Sequence, residues 1–306
     1  MNFRPLAQPL LRGLVFAAAS AVVSAANADA AAPAPTAPAL SLQAAHKAAS
    51  DALRAAVQKM PPSAQQKIVG VYVAFHADAK GPLALAACDD DGDYVVVLSD
   101  AMLALADAAA RAKATDDTFS TAKLDAYARL LAKAQRPGER LLTPPAGFYE
   151  PAHATAEVAR LQATHFRAIL TYLLATEVAH MTAGDLVCPS PTATHERGDD
   201  EWTATEHAAA LAISGTVHEA RRVVTADAHG AALAAEAGAA DDAYVALLMP
   251  LLAGVEANPL ARASMPYLDL HRSEAVRAQI VRTAAGARRR DGKAADDTVR
   301  PASPTR

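Results

Sequence analysis

Cysteine is scarce in this chain: two residues in 306. That excludes a disulfide-dense mini-domain and any zinc module with four cysteine ligands. Aromatic residues make up only 5%, so the core must be built from something else. Positive charge is not in excess: 29 Lys and Arg stand against 33 Asp and Glu, a net charge of −4. The chain therefore lacks the basic footprint of a nucleic-acid binder, and none is expected as a partner. Beyond the first two dozen residues no run reaches the ~18 uninterrupted apolar residues of a membrane helix, so the mature chain is expected to lack a transmembrane segment. No Gly-x-Ser-x-Gly occurs, and neither cysteine has an obvious histidine partner in sequence, so nucleophilic catalysis has no support.

What the chain has is aliphatic. The apolar fraction is 52% and the charged fraction 20%, much of the former being alanine. That composition supports a sizeable core and points to packed helices, because alanine has the highest helix propensity. The first 30 residues read as a signal peptide. Arg4 and Arg12 lead into the apolar stretch 14–23, and Ala28-Asp29-Ala30 fits a small-x-small cleavage site. Export to the periplasm or the medium is therefore expected. Residues 31–40 form a Pro/Ala linker. The folded domain is expected over 41–284, and 285–306, with Arg288, Arg289 and Arg290, reads as a disordered tail.

Inside the domain, Leu42, Ala49, Leu53, Val57 and Met60 recur at helical spacing, predicting a helix over 42–60 that Pro61 and Pro62 stop. The β-rich stretch 68–75 reads as a strand. The runs 83–88 and 94–98 flank an Asp-rich turn at 89–93 and read as a hairpin. That turn fails as a calcium loop: with Gly92 at position 6, Leu98 falls where the loop needs Glu. Ser99 and Asp100 cap a helix expected over 101–113. Further helices are expected at 122–133, 154–182, 203–224, 241–253 and 272–283. Loops are expected at 136–151, with its four prolines, and at 184–200, and an extended piece at 266–271. The fold class is α+β, mainly α, with a small antiparallel β-hairpin beside the longest helix.

That helix carries Thr176-Glu177-Val178-Ala179-His180. A zinc-peptidase helix places two histidines at i and i+4 with a general-base glutamate after the first. Here Glu177 and His180 stand in that relation and Thr176 takes the first position. A di-iron carboxylate reading needs a second Glu-x-x-His, and the other match, Glu150 to His153, lies in a proline-containing loop.

Together with its surroundings the segment resembles the gluzincin zinc metallopeptidases related to HtpX and the CAAX-prenyl endopeptidases. The hairpin and following helix, 87–105, match in order. So do 176–185 as the HExxH helix and its exit, Glu206 to Ala210 as the ExxxD piece, and His271 to Arg277 as the terminal THPxxxxR-like signature. The loop 144–149 is similar to exported bacterial members. The resemblance implies a helical metallopeptidase-like domain, with Glu177 as general base and His180 and Glu206 on zinc. It also locates the departures: Thr176 replaces the first metal histidine, Ala210 the aspartate that would orient the zinc helix, and Arg272 the proline of the signature. Two protein ligands rarely retain zinc, so zinc is expected to be weakly held or absent unless His207, His195 or Cys188 substitutes. The expectation is a degenerate, weakly active or non-catalytic protein that binds polypeptide by strand addition to the hairpin edge. The alternative is an active zinc metalloendopeptidase with a substitute ligand. The resemblance also sets Cys88, at the end of the first hairpin strand, near Cys188, just beyond the motif helix. In an oxidising compartment the pair is expected to form a disulfide, the rival being two separate buried thiols.

Overall fold

In the computed structural model the described residues are 40–77, 81–89, 91–188, 220–239, 247–271 and the single positions 277, 279, 282 and 283. The expected leader, most of the linker, the tail, the helix at 203–219 and residues His195, Glu206, His207 and Ala210 lie outside them.

Helix α1, Leu42–Lys59, starts where the Ser41 side chain accepts from the Ala44 amide at 3.2 Å. Ala45, Ala49, Ala52, Leu53 and Ala56 form its buried stripe. The short helix α2, Pro62–Gln65, follows. The strand expected from residue 68 begins only at Tyr72, as β1, Tyr72–His76. Ile68 closes a 3-10 turn instead, and Gly70 takes a φ of 80°, a left-handed value that interrupts extension and suits glycine.

Strands β2, Ala84–Cys88, and β3, Tyr94–Ser99, form the expected antiparallel hairpin, with Ala86 opposite Val96 and Cys88 opposite Tyr94. The Asp-rich turn spends a carboxylate on itself: Asp89 Oδ1 accepts from the amides of Asp91 and Asp93 at 3.0 and 2.8 Å. β1 adds to β3 in parallel, so the sheet is mixed, in the order β1-β3-β2, rather than a plain antiparallel hairpin. Both faces are covered. Val73, Phe75, Ala84, Ala86, Val96 and Leu98 face the helical core; Ala74, Leu83, Leu85, Ala87, Val95 and Val97 form a second apolar cluster. Burial on two sides explains why these strands read as continuous apolar runs.

Helix α3, Asp100–Phe119, is capped by Ser99, whose Oγ accepts from Met102 N at 3.0 Å. It runs six residues past the expected end, because Ala114 and Thr115 are buried and Ser120 supplies the left-handed stop. In α4, Lys123–Ala134, the Asp116 carboxylate accepts from the first two amides, at 2.6 and 3.0 Å. Helix α5, Ala156–Ala183, is the spine. Thr155 caps its start, Gly184 ends it, and from Ala168 to Met181 every residue is buried. Such all-round burial marks a central helix. α1, α3 and α6, Ala220–Glu236, pack on it. The sequence reading stopped a helix at 224; α6 continues through Gly230. Helix α7, Met249–Glu256, precedes α8, Pro259–Arg262. The piece expected to be extended is instead the short helix α9, Pro266–Leu270, with proline in its first turn. Among the described residues no helix is long and apolar enough to cross a membrane. The whole is α+β and mainly α, with one small sheet beside α5.

Candidate functional site

The motif residues of α5 lie inside the molecule: Thr176 and Glu177 are each 1% exposed and His180 is 0%. The helix places them along the face that meets β2 and α6. Leu83 O accepts from Ser99 N, and Asp93 O from Asp89 N, so the residues between that register, Ala84, Ala86 and Cys88, turn their amides away from β3. One of these outward amides, that of Ala86, donates to Glu177 Oε2 at 2.8 Å.

The other oxygen, Oε1, lies 3.0 Å from His271 Nε2, and that histidine is fully buried. His271 follows α9, which is held against the sheet by the Tyr267 amide donating to Pro82 O at 3.0 Å. The Tyr267 ring stacks on His271 at 4.3 Å between centroids. His271 Nδ1 is hydrogen-bonded to Tyr267 O at 3.2 Å. A carbonyl oxygen can only accept, so Nδ1 carries a proton.

His180 Nδ1 is hydrogen-bonded to Asp185 Oδ2 at 2.9 Å, just past the helix end. Arg222 of α6 donates to Asp185 O at 3.2 Å and lies 3.7 Å from its carboxylate. Thr176 Oγ1 is buried and has no hydrogen-bond partner among the described residues. It meets α6 at Gly230, where a Cβ would stand 2.5 Å from Oγ1, 2.7 Å from Thr176 Cα and 2.8 Å from its amide nitrogen.

A second set of buried polar groups ties the same elements together. Asp227 of α6 takes both arms of Arg277, Nε at 2.8 Å and Nη2 at 2.7 Å, while Nη1 donates to the Tyr267 hydroxyl at 2.8 Å. Tyr172 of α5 donates to Asp227 Oδ1 at 3.0 Å. Burial and the Asp227 charge hold the Tyr172 phenol well above its usual value, so it stays a neutral donor.

Ala210, which the resemblance puts in the place of the helix-orienting aspartate, lies outside the described residues; among those described, Asp227 is tied to the motif helix through Tyr172. If Asp227 rather than residue 210 held the aspartate position of the ExxxD piece, the third-ligand position would fall on Val223 instead of Glu206. Glu206 lies outside the described residues. Cys88 and Cys188 are joined, with Sγ–Sγ 2.10 Å and Cα–Cα 5.5 Å, as expected of the pair. Cys188 is thereby removed as a substitute zinc ligand, since a metal needs its thiolate. Zinc, implied by the resemblance, meets among the described residues the imidazoles of His180 and His271, one carboxylate that accepts from Ala86 and lies 3.0 Å from His271, and the neutral hydroxyl of Thr176. Among the described residues no group of three His, Cys, Asp or Glu could hold a metal ion. The described residues alone do not make up a zinc site.

Sequence reasoning identified Glu177, His180 and Thr176 but gave no role to Asp185, Asp227, His271 or Arg277. The available signal was the last signature, His271 to Arg277, and the pairing of Asp227 with Gly230 one turn apart in an alanine-rich helix. No family model matches the chain, and no curated protein or solved structure matches it either.

Proposed function

We propose that this is an exported, metallopeptidase-like protein that does not hydrolyse peptide bonds, its former general base having become a structural joint. The engagement of Glu177 carries this reading. A general base must reach a water, and here one carboxylate oxygen accepts from Ala86 and the other faces His271, with the side chain 1% exposed. The degenerate first position, Thr176, supports it, and the disulfide fits an oxidising compartment such as the periplasm or the medium. Polypeptide binding by strand addition cannot use the middle of β2, whose outward amide at Ala86 is already bonded. The edge left for that mode is β1, beside a groove of about 670 Å³ lined by Leu53, Val57, Ile68, Val71 and Val73.

One observation favours the alternative of an active zinc enzyme. The His180–Asp185 contact is the kind that orients a metal-bound imidazole. A fluorogenic casein assay on the mature protein with added zinc separates the two. The expected result is no turnover above that of the Glu177→Gln variant. Zinc-dependent, chelator-sensitive cleavage that Glu177→Gln abolishes would overturn the proposal.

A further inference from the structure

We infer that the Cys88–Cys188 disulfide is a redox latch over the buried Glu177 site. The bond joins the last residue of the edge strand β2 to the segment that leaves α5. Two residues before Cys88, Ala86 carries the amide that Glu177 holds. Three residues before Cys188, Asp185 carries the carboxylate that holds His180. One covalent link thus bears on both contacts that keep the motif side chains in place and away from water. The inference stands on this geometry and does not need the metallopeptidase reading.

The two sulfurs differ in access. Cys188 is buried, while Cys88, at the strand end, is half-buried. Opening requires a dithiol reductant. Its thiolate attacks Cys88 Sγ, the Sγ–Sγ bond breaks, and Cys188 leaves as a thiolate that takes up a proton. The second thiol of the reductant then attacks the mixed disulfide and releases Cys88 as a thiol. Two electrons pass to the protein, and the reductant ends as its own disulfide. With the link gone, β2 is held at this end by its hydrogen bonds and by the packing of Ala86 and Ala87, with no covalent tie. Local opening between β2 and α5 then admits water to Glu177, while the helices on the far side keep their packing.

The test is amide hydrogen exchange on the full mature chain, oxidised and after dithiothreitol, followed by peptides covering 84–88, 185–188 and, as a reference, 123–134 of α4. The expected result is exchange at 84–88 faster by at least about tenfold in the reduced protein, with α4 unchanged and protection restored on reoxidation. Unchanged exchange at 84–88 would overturn the latch. Equal acceleration in α4 would overturn it too, since the bond would then be a staple of the whole fold. The Cys88→Ser/Cys188→Ser variant reads the same change without reductant. If it gives no cooperative unfolding transition, that counts as the staple outcome. A peptidase assay that overturned the proposed function would leave this result unaffected.

Discussion

Gly230 lets α6 come close to the backbone of α5 at Thr176. A Cβ there would lie 2.5 Å from Thr176 Oγ1 and under 3 Å from Thr176 Cα and N. Two of those three atoms are backbone and cannot swing aside. Gly230→Ala is therefore expected to lower stability by ~1–3 kcal/mol, read as a shift in the denaturant midpoint at constant slope. Adding Thr176→Ala should leave most of the loss in place, because the backbone contacts remain. Full rescue by the second substitution would mean that the hydroxyl alone sets the spacing. The same position tests the proposed degeneration of a metal site. Thr176→His should give little zinc binding by titration calorimetry, since Val223 stands where the spacing from Asp227 puts the third ligand. Thr176→His with Val223→Glu should gain stoichiometric binding beside His180. If the double variant takes up no zinc, the inferred alignment of α6 with the peptidase pattern fails.

Between elements, Asp227 of α6 joins Tyr172 of α5 to Arg277. Arg277 is 1% exposed and Asp227 is 0%. Removing one partner of a buried pair leaves an uncompensated charge, which costs more than the pair itself contributes. Asp227→Ala is expected to destabilise by about 3–5 kcal/mol. Asp227→Asn keeps an acceptor for Arg277 and should cost clearly less. Thermal unfolding of the two variants checks the order, and equal losses would show that the charge at 227 carries the whole effect and the retained acceptor none of it. The Glu177–Ala86 bond is a joint of the same kind, a helix carboxylate holding the edge of a sheet.

For the whole molecule, Asp107 in the α3–α5 contact contributes to the pH dependence of stability with a resolved sign. Burial holds the Asp107 carboxyl above its ordinary value of 3.8, although Gln162 Nε2 donates to it at 2.6 Å and Arg111 lies near. A carboxyl raised in the folded state contributes stability that is present below its unfolded value and lost as pH rises through its folded value. At neutral pH the ionised group therefore weighs against folding. Asp107→Asn, which keeps an acceptor for Gln162, should stabilise at pH 7 by under ~1 kcal/mol. The gain should vanish below the usual aspartate range. Parallel urea titrations at neutral and acid pH test this, and a gain confined to acid pH would contradict the sign.

Local patterns in the sequence determined most of the elements. The cap Ser99, the apolar stripe of α1, the hairpin and the long helix with Thr176, Glu177 and His180 all follow from short-range spacing, and so are legible without the fold. Only the tertiary structure decided what those residues do. Whether Glu177 meets a water or an amide depends on β2, some 91 positions away in the chain, and on His271 arriving through α9. The parallel pairing of β1 with β3 and the run of α6 through Gly230 were likewise hidden. The first is a long-range choice that apolar runs do not encode, and in the second a glycine that reads as a breaker is required by a neighbouring helix. Spacing sets which groups share a face. Packing sets whether that face looks onto water, metal or another strand, and here it looks onto a strand.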